Sequence, residues 1–264
     1  MQRISCPDGV AYYQFEQWQN SPLRHGVFTR HGGVSEGYFR SLNVGGMIGD
    51  DQTAVEENCR RVYATLGYRP EQVCTVWQVH GADVVTVTGP AINRKWQAQA
   101  DGMITDRTDI ALSMRFADCV PILFYDPKHH AVGIAHAGWR GTIQGVALSV
   151  LEAMRFAYDT VPSDVQVSIG PSIGPECYQV GEEVVEAVHD RFKTTQHLIT
   201  RHPEDNSPYL NLWAANQSLL EAAGVEQIEV AQICTATHTN DFFSHRAEKG
   251  KTGRFAAIIG LVEL

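Results

Sequence analysis

Short β-rich segments recur along the chain, and several of them are apolar at every position. They occupy residues 26–29, 73–79, 84–87, 110–114, 122–125, 131–135, 165–169, 228–233 and 255–259. A strand with one face in water alternates apolar and polar residues, whereas a continuously apolar strand is covered on both faces. The runs at 122–125 and 131–135 therefore favour a sheet that lies between other layers of structure.

Helical segments alternate with these strands, but not in strict βαβ order. Apolar residues recur at helical spacing in 51–66 and 142–157, and shorter helices are predicted at 181–188 and 212–223. Gly67 follows the first of these segments, where it would end the helix. We predict a layered α/β fold with mixed sheets, formed by a single domain over residues 1–264.

The charge balance and the cysteines narrow the classes of function. Acidic residues outnumber basic ones by 30 to 21 among 264 residues, and no run of Lys or Arg is present that could bind nucleic acid non-specifically. The first residues have no apolar run of signal-peptide length, and the apolar stretch 256–262 is too short to span a bilayer. We expect a cytoplasmic protein, with neither nucleic acid nor membrane as a partner. None of the six cysteines forms a Cys-x-x-Cys pair, so free thiols are expected.

Three potential metal ligands lie at the ends of predicted strands. His80 closes one strand, Cys119 directly precedes another, and His136 follows a third. Two imidazoles and a thiolate, with a fourth position open to water, make a catalytic zinc site. The alternative is that Cys119 is a buried core thiol and that each histidine is an ordinary polar group. Glycines near both histidines favour the metal site, because they allow the backbone to approach closely.

Two basic segments could bind an anion. Arg30 stands at the base of a glycine-rich loop that continues to Asn43, and such a loop can hold an anion through backbone N–H groups and a guanidinium. Near the C-terminus, Arg246 and Arg254 lie with two lysines in a second basic stretch. The alternatives are a surface loop with an incidental arginine and a solvated basic loop.

A third motif has the form of a serine nucleophile. Gly170-Pro171-Ser172-Ile173-Gly174 follows a predicted strand and fits the pattern Gly-x-Ser-x-Gly. That motif requires a helix to begin directly after the serine, but Pro175 follows and the helical pattern starts only near Gly181. We interpret the segment as a turn, with a serine hydrolase as a minor alternative.

The chain resembles the YfiH-like proteins, which carry the labels laccase domain and polyphenol oxidase and are described as purine nucleoside phosphorylases with adenosine deaminase activity. The resemblance extends over most of the chain, and its short motifs occur in the family's order. They are Thr29-Arg30-His31-Gly32-Gly33-Val34-Ser35, Ser41-Leu42-Asn43, Gln78-Val79-His80-Gly81, Ala100-Asp101-Gly102, Ala117-Asp118-Cys119-Val120-Pro121, His136-Ala137-Gly138-Trp139-Arg140-Gly141, Gly170-Pro171-Ser172-Ile173 and Thr252-Gly253-Arg254.

The resemblance implies a four-layer α/β/β/α sandwich with mixed sheets, akin to a cysteine-hydrolase-like toxin domain. It also implies a zinc ion bound by His80, Cys119 and His136, the same residues that their chemistry suggests. It further implies a substrate and phosphate pocket that includes Arg30, Asn43 and Arg246. The expected activity is phosphorolysis of adenosine, inosine or methylthioadenosine to the base and a sugar 1-phosphate, together with deamination of adenosine. In deamination, Asp118 is a candidate for moving the proton to the leaving ammonia. Its alternative role is to orient a metal ligand.

Three other functions remain open at this point. A copper-dependent phenol oxidase, the older label, is disfavoured because none of the 11 histidines forms the His-x-His pairs of a multicopper cluster. A thiol hydrolase would use Cys119 as its nucleophile and His136 as its base, which suits a role in editing peptidoglycan precursors suggested for bacterial relatives. A binding module would hold nucleosides without reacting with them.

Overall fold

The structure, a computed structural model, describes residues 1–90 and 96–263. Its strands, in chain order, are β1 (Gln2–Ser5), β2 (Ala11–Gln14), β3 (Leu23–Phe28), β4 (Val73–Cys74), β5 (Val84–Thr86), β6 (Gly102–Thr105), β7 (Ala111–Phe116), β8 (Val120–Asp126), β9 (Ala131–Ala137), β10 (Gln166–Ile169), β11 (Ile199–Arg201), β12 (Pro208–Leu210), β13 (Gln227–Val230) and β14 (Phe255–Leu261).

Five α-helices lie within the described residues: α1 (Gln52–Thr65), α2 (Trp139–Gln144), α3 (Val146–Tyr158), α4 (Glu182–Arg191) and α5 (Leu212–Ala222). The side chain of Asp51 accepts a hydrogen bond from the backbone of Ala54 and so begins α1. The single helix predicted for 142–157 is wrong, because Gly145 divides that segment into α2 and α3. Gly145 has a φ of +85°, in the left-handed region that ends a helix.

The strands form two six-stranded mixed sheets and a separate pair, β11–β12. The first sheet has the order β1-β2-β3-β14-β7-β4, and the second has the order β13-β10-β8-β9-β6-β5. Most neighbours are antiparallel, but β4 with β7, β5 with β6 and β10 with β13 are parallel. The prediction of mixed sheets is confirmed.

Four layers arise because both sheets bury both of their faces. Side chains of the first sheet such as Met114 meet those of the second such as Ile134 in a core between the sheets. The outer face of the first sheet packs against Val62 of α1 and against Leu66, which directly follows that helix. The outer face of the second sheet packs against α3, and α5 packs in turn against α2 and α3. The α/β/β/α arrangement is therefore confirmed, and it explains the continuous apolar runs at 122–125 and 131–135 in β8 and β9.

The strand predicted for 73–79 ends much earlier, at Cys74. Beyond that point the Gln78 side chain replaces strand pairing: its Oε1 accepts a hydrogen bond from the backbone of Arg115, and its Nε2 donates to the carbonyl of the same residue. The backbone is thereby released from the sheet edge before it reaches His80.

No helix in the described part of the chain is both long and apolar enough to cross a membrane.

Candidate metal centre

The structure brings His80, Cys119 and His136 together. One potential ligand atom from each lies within 4.8 Å of the other two. Cys119 directly precedes β8, whose Pro121 pairs with His136 of β9, so the antiparallel register places thiol and imidazole on neighbouring strands. His80 reaches them from the loop before β5, and its ring centroid lies 4.9 Å from that of His136.

Asp101 holds the two histidine segments in place. Its Oδ1 accepts a hydrogen bond from Nδ1 of His136 at 2.7 Å, and its Oδ2 accepts from the backbone N–H groups of Val79 and Gly81, at 3.0 and 2.7 Å. Asp101 is fully buried. In the neutral imidazole this bond places the proton on Nδ1, so that a metal would bind at Nε2 in place of the second proton.

The same groups favour an ionised thiol. Burial alone would raise the pKa of Cys119, but the adjacent His136 and His80 lower it to about 6. Burial would likewise lower the pKa of His136, and this effect is outweighed by the Cys119 thiolate and by Asp101, which raise it. A thiolate is the form of cysteine that binds metal. This donor set, two imidazoles and a thiolate with a carboxylate behind one imidazole, fits a zinc ion.

Close backbone approach at Gly138 allows this arrangement. A Cβ at this position would lie 2.9 Å from Sγ of Cys119 and 3.3 Å from Cδ2 of His80, both tighter than ordinary contact distances. His80 and Asp118 both have positive φ angles, 61° and 80°, in a region that costs non-glycine residues about 1–3 kcal/mol. Strained backbone therefore surrounds the three candidate ligands.

The three ligands line a cavity of about 610 Å³. Aromatic rings flank it: Trp77 and Trp96 lie with their ring centroids 5.3 Å apart, and Trp139 and Tyr178 contribute to the wall. Arg140 lies over the ring of Trp139, with 4.4 Å from its Cζ to the ring centroid. Flat apolar surfaces beside polar groups suit a planar heterocyclic ligand.

Asp118 lines the same cavity, and both of its carboxylate oxygens already accept hydrogen bonds. Oδ1 accepts from the hydroxyl of Thr235 at 2.6 Å, and Oδ2 accepts from the backbone N–H of Arg246 at 2.7 Å. The Arg246 side chain lies across the cavity wall, where Nη1 donates to the carbonyl of Gln179 and Cζ lies 5.2 Å from the Tyr178 ring centroid. Asp118 thus positions the segment that presents Arg246.

Arg30 is not among the residues that line the cavity. Its Nε donates to the carbonyl of Arg40, and its Nη1 donates to the carbonyl of Thr239 and to Glu248, each within 3.0 Å. Its Cζ also lies 4.4 Å from the centroid of the Phe243 ring. The structure therefore does not bring Arg30 to the ligands, because its guanidinium ties the glycine-rich loop to the segment around 239–248.

Asn43 also lies outside the cavity lining and is fully buried. Its Oδ1 accepts hydrogen bonds from the backbone N–H groups of Gly45 and Arg254, at 2.9 and 2.8 Å, while its Nδ2 donates to Asp50 at 2.7 Å. Gly45 and Arg254 do line the cavity. Asn43 therefore acts on the cavity through these two neighbours.

The sequence reasoning gave no role to Asp101, whereas it had already named Arg254 in the C-terminal basic stretch that the structure brings to the cavity. Asp101 sits in Ala100-Asp101-Gly102, where an acid directly before a buried strand could have indicated a partner for a metal ligand.

The motif around Ser172 carries no nucleophile, because its hydroxyl is fully buried and accepts a hydrogen bond from Trp213 at 2.6 Å. The interpretation of this motif as a turn is consistent with the structure.

Comparison with known proteins places the whole chain in one family. A family model described as "multi-copper polyphenol oxidoreductase laccase" matches residues 24–262. The purine nucleoside phosphorylase YlmD of Geobacillus stearothermophilus is 41% identical over 243 residues, covering 89% of this chain and 89% of its own. The purine nucleoside phosphorylase of Bacteroides thetaiotaomicron is 34% identical over 253 residues, covering 93% of each chain.

A solved structure agrees with these sequence relationships. The crystal structure of YlmD from Geobacillus stearothermophilus superimposes with a TM-score of 0.91 over 99% of both chains. The identity in that longer structural alignment is 37%. The chain therefore belongs to the laccase-domain family whose relatives include the proteins named purine nucleoside phosphorylase YlmD and YfiH.

Proposed function

We propose that this protein is a zinc-dependent purine nucleoside phosphorylase that also deaminates adenosine. The observation that carries the proposal is the convergence of His80, Cys119 and His136 on a cavity lined by aromatic rings. The relatives named purine nucleoside phosphorylase, at 34–41% identity, support the substrate class. The substrates are adenosine, inosine and methylthioadenosine, with phosphate as the second substrate of phosphorolysis.

His80, Cys119 and His136 would hold the metal, and zinc bound there supplies a Lewis acid that makes water a nucleophile near neutral pH. The remaining parts of the site belong to the chain itself. Trp77 and Trp96 offer flat surfaces against which a purine base can stack. Asp118 lies at the cavity wall, where its carboxylate can carry the proton that water loses to the ammonia leaving C6 of adenine.

Arginines provide the positive charge that phosphorolysis requires. Phosphate attacks the anomeric carbon of ribose while the bond to the purine breaks, so the pocket must hold an anion beside the sugar. Arg246, which lines the cavity, is assigned to the substrate. For Arg30 and Asn43 we propose a supporting role, because their hydrogen bonds hold the two segments that carry Arg246 and Arg254.

Metal analysis combined with a nucleoside assay tests this proposal. Protein purified without added metal is analysed by inductively coupled plasma mass spectrometry, then incubated with each nucleoside in the presence and absence of phosphate. Chromatography separates free base, sugar phosphate and deaminated nucleoside. We expect about one zinc per chain, phosphate-dependent release of base, and phosphate-independent conversion of adenosine to inosine. Copper-dependent oxygen uptake on a phenol, without nucleoside turnover, would instead support the oxidase named by the family model.

One observation favours a second candidate, a thiol hydrolase. Cys119, His136 and Asp101 have the relationship of nucleophile, base and orienting carboxylate, with a thiol of lowered pKa. This function predicts that chelated, metal-free protein keeps its activity and that an electrophilic substrate analogue labels Cys119. The proposed zinc enzyme predicts the reverse: chelation abolishes activity, and metal protects Cys119 from the label.

A further inference from the structure

The cavity beside the candidate metal centre carries more positive charge than its neighbours neutralise. Arg115, Arg140, Arg246 and Arg254 all line it, whereas Asp118 is the one carboxylate among the lining residues of the described chain. Both oxygens of Asp118 are already engaged by Thr235 and by the backbone of Arg246. A half-buried cavity with this charge excess attracts an anion.

Hydrogen bonds hold Arg254 through its backbone N–H and through one side of its guanidinium. Its backbone N–H donates to Asn43 at 2.8 Å, and its Nη1 donates to the carbonyls of Thr252 and Gly253. Its Nε and Nη2 have no hydrogen-bond partner, and it forms no ion pair, within residues 1–90 and 96–263. One side of the guanidinium is fixed by the backbone, and the other side keeps three N–H donors, on Nε and Nη2, for a ligand.

The glycine-rich segment 44–48 lies against the stem of Arg254. A Cβ at Gly45 would lie 2.8 Å from Cγ of Arg254, so only glycine leaves room for this side chain. The backbone N–H groups of Gly46, Met47 and Ile48 also have no partner in the described part of the molecule, and all three residues line the cavity. Free backbone N–H groups beside a guanidinium are the usual elements of a phosphate site.

The position of Arg254 relates this subsite to the reaction. Burial lowers the pKa of its guanidinium, and the nearby groups of Cys119 and Asp118 oppose that effect, which places Arg254 within electrostatic range of the metal centre. Arg246 is more exposed, lies over Tyr178 and donates to the carbonyls of Cys177 and Gln179. Arg140 is exposed and lies over Trp139. Among these three, Arg254 is the one whose stem packs against the glycine-rich segment.

We propose that Arg254 and the backbone N–H groups of residues 46–48 form the subsite that binds the phosphate dianion, with Asn43 as the positioning residue that fixes Arg254. This inference rests on the proposed function for its biological meaning, because phosphate is then the second substrate. The proposed subsite does not include Arg30, because the Arg30 side chain already donates hydrogen bonds to two backbone carbonyls and to Glu248.

Direct binding of inorganic phosphate tests the subsite without any turnover. Isothermal titration calorimetry is carried out on the metal-loaded protein as purified, on Arg254→Gln, and on Arg69→Gln as a control. Arg69 is an exposed arginine paired with Glu71. Loss of a hydrogen-bonded charged group predicts about 10- to 100-fold weaker phosphate binding by Arg254→Gln, at unchanged metal content. The control should bind phosphate like the wild-type protein.

A second variant covers the case in which Arg254→Gln does not fold. Gly45→Ala keeps every charge but places a methyl group against the Arg254 stem, and it should also weaken phosphate binding while keeping the metal. Wild-type phosphate affinity in either folded variant would overturn the subsite, since phosphate would then bind at the metal or at another arginine. Phosphate binding that depends on Arg254 in a protein without phosphorolysis would support the subsite and count against the proposed function alone.

Discussion

Asp101 and His136 are joined by a hydrogen bond of 2.7 Å between a fully buried carboxylate and the imidazole Nδ1. The other carboxylate oxygen accepts the backbone N–H groups on both sides of His80. A single acidic side chain thus orients one candidate ligand directly and another through the backbone. Substitution of Asp101 therefore tests the metal centre without changing any of the three candidate ligands.

Replacement of Asp101 should weaken metal binding while leaving the three ligands in the sequence. In Asp101→Asn, the amide cannot accept all three hydrogen bonds, so His136 and the His80 loop lose their fixed orientation. We expect metal affinity to fall about 10- to 100-fold, measured by competition with a chromogenic chelator. The neighbouring exposed residue Asp83 supplies the control Asp83→Asn, which should match the wild-type protein. Equal affinity in Asp101→Asn would show that the carboxylate does not orient the site.

Close packing at Gly138 gives a second prediction. The methyl group of Gly138→Ala would press on Sγ of Cys119 and on the ring of His80, so the ligands must move apart. We expect weaker metal binding and reduced nucleoside turnover with little change in the thermal unfolding of the metal-free protein. Gly89→Ala is the matched control, since an added Cβ there meets nothing within 4 Å. Wild-type metal affinity in Gly138→Ala would mean that the ligands do not need this spacing.

His25, a buried histidine outside the candidate metal centre, should make the folded state less stable at acidic pH. His25 is 1% exposed and its Nε2 accepts the backbone N–H of Phe15, while burial lowers its pKa from 6.5 to about 4. The unfolded chain therefore takes up a proton at a higher pH than the folded one. As the pH falls from 6.5 to 4, protonation of His25 should therefore lower the free energy of unfolding by about 3 kcal/mol.

Urea unfolding at several pH values between 7 and 4 checks this loss. His25→Gln should flatten the pH dependence relative to the wild-type protein, and the comparison cancels the contribution of the metal centre. His197→Gln, which replaces an exposed histidine, should leave the dependence unchanged. The same pH dependence in all three proteins would mean that His25 titrates alike in the folded and unfolded states.

Much of the fold follows from local pattern in the sequence. β8 and β9 are buried at every position because helices and a second sheet cover them, and their apolar runs at 122–125 and 131–135 are visible without coordinates. The short strands β11 and β12 carry no comparable apolar run. Gly145 interrupts the helix predicted for 142–157. Its positive φ ends one helix at this residue, although apolar residues continue at helical spacing on both sides of it.

The site was predictable only in part. The chemistry of His80, Cys119 and His136 suggested a common ligand, although long sequence separations conceal which strands are neighbours. The guanidinium of Arg30 looked like a phosphate anchor beside glycines, but the fold gives its donors to backbone carbonyls and Glu248. Such partners are distant in sequence, so no local pattern distinguishes a structural arginine from one that binds a ligand.

The metal content and the nucleoside turnover of Cys119→Ser, measured on one preparation, test the central claim most directly. Removal of the thiolate should lower bound zinc to a small fraction of the wild-type amount and abolish phosphorolysis and deamination together. Cys6→Ser, at a half-buried cysteine remote from the cavity, should keep both. Full turnover by Cys119→Ser, with or without bound zinc, would contradict the account.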